Sequence, residues 1–180
     1  MIPLFVWPIG ALAGAWLYAK RRGVAGPGET AAAGSESPLA DCDTRLVESV
    51  GWPYYFGRGS PSTPWADGPK GVDCSGYAQM ALVRLGKLSS SASDRGVSSL
   101  SAESNPVEIG SQGIGDLALY GNSHVMVVCG PPRSSDGHSP VIGASSGGAT
   151  TFGGDPNARV KLFDSALYWA SNFTTYMRLK

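Results

Sequence analysis

Residues 71–86 read GVDCSGYAQMALVRLG. Asp73 is a natural helix N-cap, because its short carboxylate can accept from the unpaired N–H groups of a first turn. Tyr77, Ala81, Leu82 and Leu85 then recur at the spacing of one helical face, and Gly86 supplies a stop. The stretch predicts a helix from Cys74 to Leu85 that opens on a cysteine. Working outward, the period changes beyond Ile114. Residues 116–120 (DLALY) and 124–129 (HVMVVC) run apolar or alternate over five or six positions, with Gly121 and Asn122 between them. That pattern predicts a strand, a turn and a strand. Residues 140–144, 159–163 and 174–179 are three further candidate strands. Upstream, Asp41 or Asp43 can cap a short helix reaching Val50, with Leu46, Val47 and Val50 on its apolar side. Residues 57–72 read as loop, and the Ser-rich stretch 88–104 holds at most one short helix after Ser93. Helices first and an antiparallel sheet after them give an α+β domain.

A cysteine that opens a helix faces the free N–H groups and the positive end of the helix dipole. Both favour thiolate over thiol and are expected to lower the pKa of Cys74. The same N–H groups can receive an oxyanion, while Ser75 and Gly76 keep the first turn small enough for a carbonyl to approach. The local sequence is equally compatible with a small buried core residue, the commoner fate of a cysteine. A thiol nucleophile needs a base that later protonates the leaving amine, and histidine suits that task. The chain has two histidines. His124 begins an apolar strand straight after a turn, where its ring can face a neighbouring helix terminus. His138 lies in PPRSSDGHSP, a segment with the composition of a mobile loop.

Composition excludes more than it assigns. Fourteen basic residues balance fourteen acidic ones, and the charged fraction is only 16%. Binding nucleic acid through its phosphates needs a surplus of Lys and Arg, so no nucleic-acid partner is expected. Twenty-five Gly and 13 Pro imply extensive loops. The cysteines are Cys42, Cys74 and Cys129, and three cannot all pair within one chain. They match no metal-ligand spacing, and no metal or cofactor is expected. Cys42 and Cys129 are free to pair in an oxidising compartment, but the sequence adds nothing further in favour of that bond.

Residues 1–19 carry no charged side chain, and as a helix they extend roughly 28 Å, close to a hydrocarbon core. Trp16 and Tyr18 lie at the far end like an interfacial belt, followed by Lys20, Arg21 and Arg22. A secretory signal carries its positive charge before the apolar run, not after it. Residues 1–22 are therefore expected to form a hydrophobic membrane anchor or signal-like helix, with residues 1–19 in the membrane. The basic cluster predicts that the following residues stay on the cytoplasmic side, and export to the cell envelope is the alternative. Residues 23–40 are small, polar and turn-rich, a flexible linker, and residues 41–180 form the folded domain.

Four motifs in order carry a family resemblance. They are Pro53-Tyr54-Tyr55-Phe56-Gly57-Arg58-Gly59, Asp73-Cys74-Ser75-Gly76, Gly115-Asp116-Leu117 and Ser123-His124-Val125. Together, across roughly residues 41–180, they resemble the NlpC/P60 family of papain-like cell-wall cysteine peptidases. The stretch VIGASSGG from Val141 is similar to phage- and prophage-borne members. The resemblance implies a papain-like domain in which the nucleophile helix packs on an antiparallel sheet. It also implies metal-free hydrolysis of amide bonds in peptidoglycan stem peptides. On this reading Cys74 is the nucleophile and His124 its base. Tyr54 and Ser75 flank the substrate or the oxyanion, and Asp73 and Gly76 support the motif. The family's third polar residue, which holds the base's other ring nitrogen, falls at Gly143 here, and glycine has no side chain for the task. Ser145, a backbone carbonyl, a water or a swung-in His138 are the available substitutes. A same-fold amidase or acyltransferase is an alternative, as is a catalytically silent peptidoglycan-binding or structural domain of a phage or envelope assembly.

Overall fold

The computed structural model describes residues 38–180. The expected anchor, residues 1–22, and nearly all of the linker, residues 23–40, lie outside the described residues. Among the described residues no helix is long and apolar enough to cross a membrane. Four α-helices are present there: α1 (Pro38–Asp41), α2 (Thr44–Val47), α3 (Cys74–Arg84) and α4 (Val97–Ala102). Six strands form one sheet: β1 (Ser104–Val107), β2 (Leu117–Tyr120), β3 (His124–Val128), β4 (Val141–Ser145), β5 (Arg159–Phe163) and β6 (Phe173–Leu179). Their spatial order is β1-β6-β2-β3-β4-β5, with every neighbouring pair antiparallel. This is the α+β architecture expected from the sequence.

The helix α3 starts where Asp73 caps it, the carboxylate accepting from the Gly76 N–H at 2.7 Å. Its residues from Gly76 to Leu82 are all buried, so it is a central helix and not a surface one. One face of the sheet packs on it through Leu117, Leu119, Val125, Val127, Ile142, Ala144 and Val160. The opposite face, Ala118, Tyr120, Met126, Val128, Val141 and Tyr176, is covered by Ala166 with Phe163, Tyr168 and Phe173. Burial on both faces explains why the central strands read as apolar runs without strict alternation.

The differences from the sequence reading have local causes. The first helix is split into α1 and α2, with Asp43 capping α2 through the Arg45 N–H at 2.9 Å. Val50 is exposed, and the buried position beyond Leu46 belongs to Ser49 instead. Its hydroxyl is satisfied by the Leu46 carbonyl at 2.6 Å and the Tyr77 hydroxyl at 2.8 Å. The supposed loop 57–72 contains a 3-10 helix, Trp65–Lys70, whose Gly68 lies so close to the Trp52 ring that no Cβ would fit. Strand β1 was not anticipated. It contains Pro106, and it pairs only with β6, at the sheet edge where a missing N–H is tolerated.

Two polar devices lock the frame. Asp116 of the Gly115-Asp116-Leu117 motif is 1% exposed. It accepts from Arg178 Nε and Nη2 at 2.9 and 2.7 Å and from the Gly113 N–H at 2.8 Å, joining the start of β2 to the end of β6. Cys42 and Cys129 form a disulfide, which ties the segment between α1 and α2 to the end of β3 and leaves Cys74 as the free thiol.

Candidate active site

Cys74 is the first residue of α3 and His124 the first residue of β3. Both open on one cleft of about 530 Å³. Tyr54 and Phe56 form one side of it, Ser123 lies beside His124, and Tyr168 and Trp169 stand on another side. The last residue of β4, Ser145, and the turn after it, residues 146–149, complete the wall. Within that turn Ser146 holds φ at 66°, and its hydroxyl accepts from Lys161 Nζ at 2.8 Å. Gly147 lets the turn lie against the Tyr54 ring, since a Cβ there would sit 2.3 Å from it.

The helix start and the aromatic–glycine segment are built as one piece. Asp73 Oδ2 accepts from the Gly57 N–H at 2.8 Å while Oδ1 accepts from Gly76 N–H and from the Ser75 hydroxyl at 3.0 Å. A Cβ on Gly76 would meet the Arg58 carbonyl oxygen at 2.1 Å, so the residue must be glycine for the two backbones to approach. Asp73 and Gly76 thus shape the site without lining it. The same holds for the Ser75 hydroxyl, which is turned to Asp73; the group Ser75 offers the thiol is its N–H.

Cys74 is 8% exposed, and its Sγ donates to the Ser123 carbonyl at 3.8 Å. Burial pushes the thiol above its ordinary pKa, and the negative charge of Asp73 acts in the same direction. The N–H groups of Val125, Ser75 and Cys74 oppose the rise but do not overcome it. The expected lowering by the helix terminus is therefore corrected: the N–H groups are in place, and desolvation outweighs them. Burial likewise draws His124 down to about 4. At neutral pH the resting pair is a thiol beside a neutral imidazole. Tyr54 is buried as well, and desolvation followed by the charges of Cys74 and Asp73 pushes its phenol up, so it remains a hydrogen-bond donor.

The remaining positions sort out clearly. Gly143 is buried in β4, and a Cβ there would meet Met126 Sδ at 2.8 Å. His138 is not mobile. It is 7% exposed, with Nδ1 3.1 Å from the Tyr176 hydroxyl and its ring edge-on to Phe173 at 5.4 Å. It is thereby fixed away from the cleft. The residue the sequence reading missed is Tyr168, whose hydroxyl is 3.2 Å from His124 Nε2. It sits on a 3-10 turn, Ala166–Trp169, too short to leave a periodic signal; the Ser165 cap before three large side chains was the available clue. Trp169 lies edge-on to the His124 ring at 6.0 Å and stacks on Tyr120. Among the described residues no three His, Cys, Asp or Glu side chains gather to hold a metal ion.

No family model and no curated protein matches the chain. Among solved structures it is similar to the P60 domain of an antigen from M. avium subspecies paratuberculosis. The identity is 22% over 75% of this chain and 88% of that one, with a TM-score of 0.48. It is also similar to a lipoprotein-like protein of the NLP/P60 family from Staphylococcus aureus. There the identity is 17% over 75% of this chain and 39% of that one, with a TM-score of 0.46.

Proposed function

We propose that this chain is a cysteine hydrolase that cleaves amide bonds in peptidoglycan stem peptides, with Cys74 as nucleophile and His124 as base. The observation that carries the reading is the meeting of two residues from distant parts of the chain in one cleft. There the N–H groups of Cys74, Ser75 and Val125 converge on the thiol. The four ordered motifs supply the substrate class.

The chemistry follows from a neutral resting pair. As Cys74 Sγ attacks the amide carbon, its proton passes to His124, and the carbonyl oxygen becomes an oxyanion facing the start of α3. Collapse of that intermediate breaks the C–N bond, and His124 gives its proton to the departing amine. Water then attacks the thioester, its proton again taken by His124, and releases the acid with the thiol restored. Tyr54, held protonated, donates toward substrate or oxyanion from the opposite side. Phe56 and Trp169, 46% and 40% exposed, offer apolar surface at the cleft for the groups that flank the bond.

The Cys42–Cys129 disulfide supports a domain working on the oxidising side of a membrane, with residues 1–19 as its anchor. That is the side opposite to the one the basic cluster implies.

The deciding experiment incubates the full chain with purified peptidoglycan, beside Cys74→Ala and His124→Ala, and identifies released fragments by mass. New amino termini from the wild type alone are expected. Identical products from all three proteins would end the hydrolase reading.

A further inference from the structure

A histidine that serves a thiol works best when its second nitrogen is held, because that contact fixes both ring orientation and tautomer. Gly143 has no side chain to do this, a Cβ there would sit 2.8 Å from Met126 Sδ, and His138 is occupied by Tyr176. We propose that Tyr168 is the positioning residue of this site, its phenol oxygen accepting from His124 Nε2–H in place of a side chain on β4. The inference rests on the hydrolase reading above and adds to it the group that orients the base.

The contact itself is 3.2 Å, and the phenol that makes it is rigidly mounted. Its ring stacks on Phe163 at 3.7 Å with planes 14° apart and meets the edge of Tyr120 at 5.3 Å. The turn beneath it is fixed at three points. Ala166 N–H donates to the Ser139 carbonyl at 3.0 Å, the Tyr120 hydroxyl donates to the Ala166 carbonyl at 2.9 Å, and Ser165 Oγ accepts from Leu167 N–H at 3.2 Å. A side chain held this way restrains the imidazole instead of following it.

The direction of the bond follows from proton inventory. Burial raises the Tyr168 pKa, while the neighbouring Ser145 side chain opposes the rise through a hydrogen bond. Nε2 faces the phenol at 3.2 Å, so Nδ1 is the nitrogen left for the thiol and a base must bring it unprotonated; Nε2 therefore bears the hydrogen and the phenol oxygen accepts it. Nδ1 then carries the lone pair that takes the thiol proton. A phenol brings no negative charge, so unlike a carboxylate it orients the ring without stabilising the imidazolium. This agrees with a His124 that burial draws down unopposed.

The test uses the full chain labelled with 15N-histidine, whose two histidines give a spectrum assignable with His124→Gln. Long-range 15N–1H correlations are expected to show His124 as the Nε2–H tautomer. Tyr168→Phe, which keeps the stacked ring, should turn that signal into a mixture of tautomers. It should also lower kcat on stem-peptide fragments by roughly 10- to 100-fold with KM unchanged. An unchanged tautomer in Tyr168→Phe overturns the proposal, whatever happens to turnover. Absence of any turnover in the wild type ends the hydrolase reading instead, and the tautomer still decides whether Tyr168 orients the ring.

Discussion

The hairpin of β3 and β4 has two ends, and near each lie a cysteine, a histidine and a tyrosine hydroxyl. At the closed end Cys129 is bonded to Cys42, and His138 is sealed with Nδ1 3.1 Å from Tyr176. At the open end Cys74 stays a thiol, and His124 meets Tyr168 at 3.2 Å on the wall of a cleft. Residue types and histidine–tyrosine contact are nearly the same. What differs is access and the neighbour across the gap. Aromatic rings pack around both histidines, but only His124 opens on the cleft that the start of α3 also lines. The hydrolase proposed above works at the end where a satisfied histidine also opens on space that a substrate can enter.

The sharpest way to break this comparison is to exchange the two histidines as targets. Cys74→Ala and His124→Ala should each lower kcat/KM on stem-peptide fragments by about 10³-fold or more. His138→Ala should leave it within about twofold and act on stability instead, by about 1–3 kcal/mol, since the Tyr176 hydroxyl and the packing around it lose a partner. Equal losses of activity at both histidines would erase the distinction between the ends.

Next in size is the disulfide, whose cysteines lie 87 residues apart. Cys42→Ser with Cys129→Ser should reduce the unfolding free energy by about 4–5 kcal/mol, since a loop of that length loses much chain entropy when closed. Denaturant midpoints measure this. Folded molecules should keep their activity, because the closed end frames the hairpin and takes no part at the cleft.

The open end should respond to acid. His124 titrates at about 4 in the fold and near 6.5 in an unfolded chain. The unfolded state therefore takes up a proton first as pH falls. Stability is full above about 6.5 and should drop by about 3 kcal/mol by pH 4, with no further loss from this group below it. His124→Gln should flatten that slope in urea titrations at stepped pH. The acid limb of kcat/KM should lie near pH 4, where the base loses its lone pair.

The smallest effect concerns the thiol. With Cys74 held above its ordinary pKa by burial, alkylation by iodoacetamide at pH 7 should run about tenfold slower than for a free cysteine and climb with pH. A faster rate would mean a preformed thiolate and a resting ion pair.

Much of this was legible in the sequence, and the reasons are particular. Asp73 and Gly86 bracket a helix because a cap and a stop are local chemistry. The strands were found because apolar runs between turn residues have few other uses. Strand β1 was hidden by Pro106, which only an edge position excuses. The two 3-10 helices, Trp65–Lys70 and Ala166–Trp169, are too short for periodicity to register. His138 looked mobile because Gly, Ser and Pro around it describe the path of the chain and say nothing about Tyr176 and Phe173 enclosing the ring.

The sequence by itself determined the α+β order of elements, the cysteine at a helix start and the histidine at a strand start, because each depends on residues within a few positions of one another. Tertiary structure alone decided three things. It paired Cys42 with Cys129, it set the protonation of the Cys74–His124 pair through burial, and it brought Tyr168 to a histidine 44 residues away. Each depends on what surrounds a group in space, and desolvation and hydrogen bonding across the fold leave no periodic mark along the chain.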